Sequence, residues 1–91
     1  MEFEWDKNKT ASNAKRHKVT FTEAATVFGD PLSVTFPGPD SIEEDRYTTI
    51  GTSDRNRVLI VAHRDRAERV RIISARKATT RERKAYEEGR R

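Results

Sequence analysis

Residues 58–62, VLIVA, limit the fold of this chain more than any other stretch. Five apolar residues with no polar alternation are short for a buried helix and suit a strand covered on both faces. Turn formers bracket the run, Asp54-Arg55-Asn56 before it and Asp65-Arg66-Ala67 after it. Each turn leads into another β-rich segment, residues 46–52 (RYTTIGT) on one side and 68–76 (ERVRIISAR) on the other. A central strand with a hairpin at each end is an antiparallel meander.

The flanks extend this core. Residues 32–36 alternate Leu32, Val34 and Phe36 against Ser33 and Thr35, which adds a fourth strand. Pro37-Gly38-Pro39-Asp40 and the acidic residues 41–45, a loop or short helical turn, connect it to the meander. At the N-terminus residues 2–5 (EFEW) read as a short first strand. Asp6 can cap a helix over the polar run DKNKTASNAKRHK. Thr20 or Thr22 starts a second helix with Phe21, Ala24, Ala25, Val27 and Phe28 on one face, and Thr20 with Glu23 fits a capping box. Gly29-Asp30-Pro31 ends it. A last charged helix starts at Thr79 or Thr80 and turns Ala85 and Tyr86 inward. The order is β-α-α-β-β-β-β-α. This is one α+β domain over residues 1–91, with an antiparallel four-strand sheet, an N-terminal strand, two N-terminal helices and a C-terminal helix.

Ninety-one residues suffice for a single core. Without cysteine there is neither a disulfide nor a thiolate metal site, and two histidines argue against structural zinc. No apolar run approaches a membrane span or a signal-peptide core, so a cytoplasmic protein without membrane partners is expected. Residues 1–30 are neutral, 31–54 carry a net charge of −4, and 55–91 carry +8, with eleven of their thirteen cations arginine. Arginine suits bidentate phosphate contacts and stacking on bases. Solubility and surface ion pairs are the alternative use of such charge.

One segment carries a resemblance. RIISARKA, followed by RER and Tyr86, resembles the BrnT family, ribonuclease toxins of bacterial type II toxin–antitoxin systems. The N-terminal half agrees in order: Phe3-Glu4-Trp5-Asp6, Lys9, Asn13, Arg16-His17, Val19, Phe21, Glu23-Ala24, Phe28 and Asp30. Arg46 and Gly51 add to it. Lys18 departs from the family pattern, which has Gly after the His; glycine tolerates positive φ far more readily. The resemblance implies a RelE-like fold and a toxin that cuts RNA and inhibits translation. It also implies a BrnA-like antitoxin that binds DNA, neutralises the toxin and, with it, represses the shared operon. Operator DNA is then met only through the antitoxin, in a paired toxin–antitoxin hetero-oligomer.

Metal-independent RNA cleavage needs one group to take the 2′-OH proton, one to stabilise charge on the pentavalent phosphorus, and one to protonate the leaving 5′-oxygen. In RelE-like enzymes Lys and Arg can stand in for a His pair. Arg64 and Arg76 come first, because each lies at a strand end and the family pattern has Arg at both places. If residues 65–67 form a hairpin, Arg64 lies by the turn and Arg76 near Arg55 or Asn56. One tight site holding both then requires a twisted sheet or an irregular connection.

His17 is the third catalytic candidate, by residue type; a helix C-terminal cap is its alternative role. Lys77, Arg83, His63 and Tyr86 are the RNA-binding candidates. His63 shares a strand face with Leu59 and Val61, which also suits a buried structural role, and Tyr86 either joins the core or faces the site with Arg83. Trp5-Asp6 reads as structure. Ser74, grouped with Val70 and Ile72, is a poor nucleophile candidate. No metal site and no cofactor are expected. The rival reading is a non-catalytic nucleic-acid-binding or co-repressor subunit.

Overall fold

The computed structural model describes residues 1–37 and 46–89. In chain order it has β1 (Glu2–Glu4), α1 (Lys7–His17), α2 (Phe21–Thr26), β2 (Val34–Pro37), β3 (Arg46–Thr52), β4 (Val58–Arg66), β5 (Arg69–Lys77) and α3 (Thr80–Glu88). A 3₁₀ turn, Val27–Gly29, extends α2. Of the expected turn Pro37–Asp40, Pro37 belongs to β2; its remaining residues and the acidic segment 41–45 lie outside the described residues.

The strands form one sheet in the order β1-β5-β4-β3-β2. β4 holds its centre, as VLIVA requires. The expected strand count changes by one. β1 joins the sheet as a fifth member, parallel to β5, with Phe3 opposite Val70.

Two details of β4 and β5 differ from the sequence reading. β4 runs on to Arg66, which pairs with Arg69, so the turn is the two residues Ala67-Glu68 with Ala67 at φ 52°. Asp65 stays in the strand, opposite Val70, and its carboxylate bonds His63 Nδ1 at 2.6 Å. In β5 a bulge at Ile73 reverses the alternation: Ile72 faces His63, but Ser74 faces Ala62 and Ala75 faces Val61. Ser74 therefore leaves the Val70–Ile72 face and Ala75 takes its place in the core.

One face of the sheet is covered by α1, α2 and the 3₁₀ turn. Val19, Phe21, Ala24 and Val27 meet Leu59, Val61, Ile72 and Ala75 there, with Phe3, Trp5, Ala25 and Phe28 packed around them. Each of the larger side chains contributes about 1.5–3 kcal/mol by leaving water. Gly51 lets β3 pass close to the 3₁₀ turn, since a Cβ there would sit 2.9 Å from both Ser33 Cβ and Val27 Cγ1.

α1 adds almost nothing to this core; only Asn13 is buried on it. Asp6 caps its start, accepting from the Asn8 and Lys9 amides. Lys18 closes its end at φ 60°, ψ 30°, the left-handed geometry that the family's glycine would adopt without strain.

α2 begins at Thr20, whose hydroxyl accepts from the Glu23 amide. The other half of the expected capping box is absent, because the Glu23 carboxylate turns inward. It accepts from Ser53 Oγ at 2.7 Å and Arg57 Nε at 2.9 Å, and Arg57 Nη2 closes the pair. α3 has a complete capping box between Thr79 and Glu82. It crosses the face of the sheet away from α1 and α2, and its Tyr86 hydroxyl bonds Asp30.

Candidate nucleic-acid interface

The face of the sheet away from α1 and α2 is where the C-terminal arginines emerge. The register puts Arg46 opposite Arg64 and Arg64 opposite Arg71, one guanidinium-bearing side chain on each of three adjacent strands. Glu4 on β1 ends the row, 3.8 Å from Arg71. The next row toward the turn pairs Arg66 with Arg69. Like charges directly opposite each other destabilise a sheet. An arrangement that stacks them on one face favours a polyanion, and planar guanidiniums pair with phosphate in two-point fashion.

Arg76 shares this face but not this row. It lies opposite Ile60, four residues along β4 from Arg64, or roughly 13 Å at the strand rise. It is not beside Arg55 or Asn56, because the antiparallel register sets it against Ile60, and β5 ends at Lys77 opposite Leu59, before the β3–β4 turn is reached. Its guanidinium closes on Glu82 through two bonds of 2.8 and 2.9 Å. That pair, together with the Thr79 amide, pulls the Glu82 carboxyl down to about 2. The structure therefore does not bring Arg64 and Arg76 into one tight cluster.

His17, the last residue of α1, lies in a shallow depression at the β5 edge with Arg16, Ile73 and Ser74. Ser74 sits opposite Ala62, so this depression falls at a level between the Arg64 and Arg76 rows. His63 is on the opposite side of the sheet from the arginines. It is 1% exposed, bonded to Thr49 Oγ1 at 2.7 Å and Asp65 Oδ1 at 2.6 Å, and packed edge-on against Phe28. Buried there it cannot meet a strand on the open face; the bland reading of its alternation with Leu59 and Val61 is the one the geometry follows.

Tyr86 is also buried and anchors α3 through Asp30. Lys77 and Arg83 do come together, across a polar pocket on the far side of α3. Between that pocket and the arginine row, Val34, Phe36, Ile50, Ile60, Ala85 and Tyr86 line an apolar trough. Trp5 packs edge-on to Phe21 and Asp6 caps α1, both structural as expected.

Arg46 and Arg71 were not singled out as site residues from sequence, yet the signal was there. A hairpin centred on Arg55 pairs positions equidistant from it, which sets Arg46 against Arg64. Adding the second hairpin sets Arg64 against Arg71 only when its turn is placed at Ala67-Glu68. Among the described residues no group of three or more His, Asp or Glu is placed to hold a metal ion, and no helix is long and apolar enough to cross a membrane.

Fold and face together define a small α+β domain with one face covered by α1 and α2 and an arginine-lined face crossed at its other end by α3. The family model described as the ribonuclease toxin, BrnT, of type II toxin–antitoxin systems matches residues 5–82, and the chain belongs to that family. It is thus of the toxin side of such a pair, and an antitoxin is its implied partner. The crystal structure of the Brucella abortus ribonuclease toxin BrnT, solved at 1.1 Å, superposes with a TM-score of 0.70 at 23% identity. The match covers 88% of this chain and 99% of that one, and it establishes the shared fold. A search of curated proteins gave no match.

Proposed function

We propose that this toxin is a metal-independent endoribonuclease that inhibits translation by internal transesterification of RNA, with the substrate lying across the open face of the sheet. The observation that carries this reading is the row Arg46–Arg64–Arg71, three guanidiniums in register on adjacent strands. Arg64, at the centre, stabilises the charge that develops on the phosphorus. His17, at the β5 edge, is the group by type for proton transfer. Arg76 is the further phosphate contact, available when a phosphate competes for the fork that Glu82 holds. Neutralisation falls to a BrnA-like antitoxin whose acidic or amphipathic segment occupies the same face, and the complex represses its own operon through the antitoxin's DNA-binding domain.

A second reading has one observation in its favour. Among the described residues the arginine row has no imidazole beside it: His63 is buried beneath the sheet and His17 stands at its edge. A non-catalytic RNA-binding or co-repressor subunit needs no such group. Purified total RNA, incubated with the antitoxin-free protein in EDTA, separates the two. Products lost in Arg64→Ala or His17→Ala establish cleavage. Intact RNA, both free and in a translating extract, with salt-sensitive binding instead, establishes the binding module.

A further inference from the structure

A cavity of about 300 Å³ opens at the hairpin end of the sheet, on the side of α3 away from the apolar trough. Its walls come from three separate parts of the chain: Asn56 and Arg57 from the β3–β4 turn, Lys77 from the end of β5, and Arg83 and Glu87 from α3. Thr52 and Val58, the last cross-strand pair of the open face, form its floor. Three cations stand against Glu87 in its wall and Glu23, which pairs with Arg57, and leave it positive by one.

The cations are held in different ways. Arg57 is fixed before any ligand arrives, because Glu23 takes its Nε and Nη2, and Nη2 also donates to the Lys18 carbonyl at 2.9 Å. Its remaining nitrogen, Nη1, has no bond to any described residue. The Lys77 ammonium likewise has no partner among the described residues. Arg83 makes only a 3.7 Å contact with Glu87 on the exposed side of α3. A preorganised guanidinium, an uncommitted ammonium and an exposed arginine around one polar cavity form a receptor for a tetrahedral oxyanion.

We infer that this pocket is a phosphate-binding subsite, and that it holds a backbone phosphate of the RNA well away from the arginine row. This rests on the proposal that the open face binds RNA. Val58 is six residues along β4 from Arg64, or roughly 20 Å at the strand rise. Because α3 packs over Ile50 and Ile60 between the two places, a strand reaching both passes over or around it and spans at least about six nucleotides. Short oligomers then occupy one site and longer ones both.

The test is a titration of the ¹⁵N-labelled full chain with a 2′-O-methyl oligoribonucleotide of ten residues, which cannot be cleaved by transesterification, and separately with inorganic phosphate. Lys77→Met and Arg83→Gln, both exposed and clear of the core, are compared with wild type and Arg64→Ala. The expected result is that the oligomer shifts the amides of Asn56, Arg57 and Ala78. Lys77→Met should then weaken binding about tenfold and flatten the logarithmic salt dependence by about 0.7, the loss of one phosphate contact on a single strand. Oligomer binding that Arg64→Ala weakens, but that neither pocket variant alters, overturns the subsite and leaves the RNA-binding face intact. If wild type binds no oligomer, the RNA reading itself fails. Phosphate shifts abolished by Lys77→Met would then keep the pocket as a site for the free anion alone, and their absence would end it.

Discussion

The side-chain amide of Asn13 takes both backbone hydrogen bonds of Ala75, donating to its carbonyl at 2.8 Å and accepting from its N–H at 3.1 Å. β1 pairs with β5 only as far as Arg71, so beyond that point the edge of β5 lacks a strand partner on that side. Asn13 supplies one from a helix. The same Nδ2 also donates to the Val19 carbonyl at 2.8 Å, tying the end of α1 to the chain entering α2. This is what holds a helix with almost no apolar face of its own.

Asn13→Ala strips partners from three buried backbone groups, each worth about 1–3 kcal/mol when left unsatisfied and less where water reaches it. We expect a net loss of about 3 kcal/mol, read as a lower urea midpoint with an unchanged slope. An unmoved midpoint would mean that α1 is not what secures β5.

Lys18 offers the opposite change. A non-glycine residue in the left-handed region costs about 1–2 kcal/mol, while glycine brings back roughly 0.5–1 kcal/mol of unfolded-state entropy. Lys18→Gly should therefore stabilise by about 0.5–1 kcal/mol, several degrees in Tm for a domain of this size. A lower Tm would show that the lysine side chain makes up for its backbone. Arg57 need not be disturbed, because it bonds the residue-18 carbonyl rather than the side chain.

Much of this architecture was legible in the chain. VLIVA marked the central strand, the two turn clusters marked its hairpins although the second turn falls at Ala67-Glu68, and Asp6, Thr20 or Thr22, and Thr79 or Thr80 marked the helix starts, because each signal is local. What escaped was whatever depends on register. The bulge at Ile73 moves Ser74 and Ala75 to opposite faces, and nothing in RIISA announces the extra residue. The parallel pairing of β1 joins the two ends of the chain and has no local signature. The open-face site was half visible for the same reason: Arg64 stood out at a strand end, whereas Arg46 and Arg71 become its neighbours only after both hairpins are aligned.

Acid should weaken the fold through two carboxylates. Arg57 and Ser53 hold Glu23 below its ordinary value of 4.5, and Arg76 with the Thr79 amide holds Glu82 down to about 2. A carboxyl depressed in the folded state stabilises fully above its unfolded pKa, and that contribution fades as pH falls through the folded value. The Glu82 share is therefore complete above about pH 4.5 and disappears toward pH 2. Melting curves of wild type and Glu82→Gln should differ most near neutrality and converge on acidification; Glu23→Gln should behave alike. A gap that stays constant with pH would mean that the difference does not come from the ionised carboxylates.

Arg64 and Arg76 should separate when chemistry and stability are measured together. Arg64→Ala removes one guanidinium from a row of three; the side chain is half-buried, so the loss of stability should be about 1–2 kcal/mol, ordinary for a single substitution. Its metal-free cleavage of RNA should fall about 10²–10³-fold, the effect of deleting one electrostatic donor to a developing charge. Arg76→Ala does two things at once, because Glu82 also closes the capping box that starts α3. Its lost activity alone is therefore uninformative. Glu82→Gln breaks the same ion pair but keeps the guanidinium and leaves it free for phosphate. If Arg76 contacts the phosphate, Glu82→Gln keeps its activity despite a lower Tm, while Arg76→Ala loses both. Equal loss of activity in the two variants would reduce Arg76 to an anchor for α3, and would leave Arg64 as the arginine that meets the reacting group.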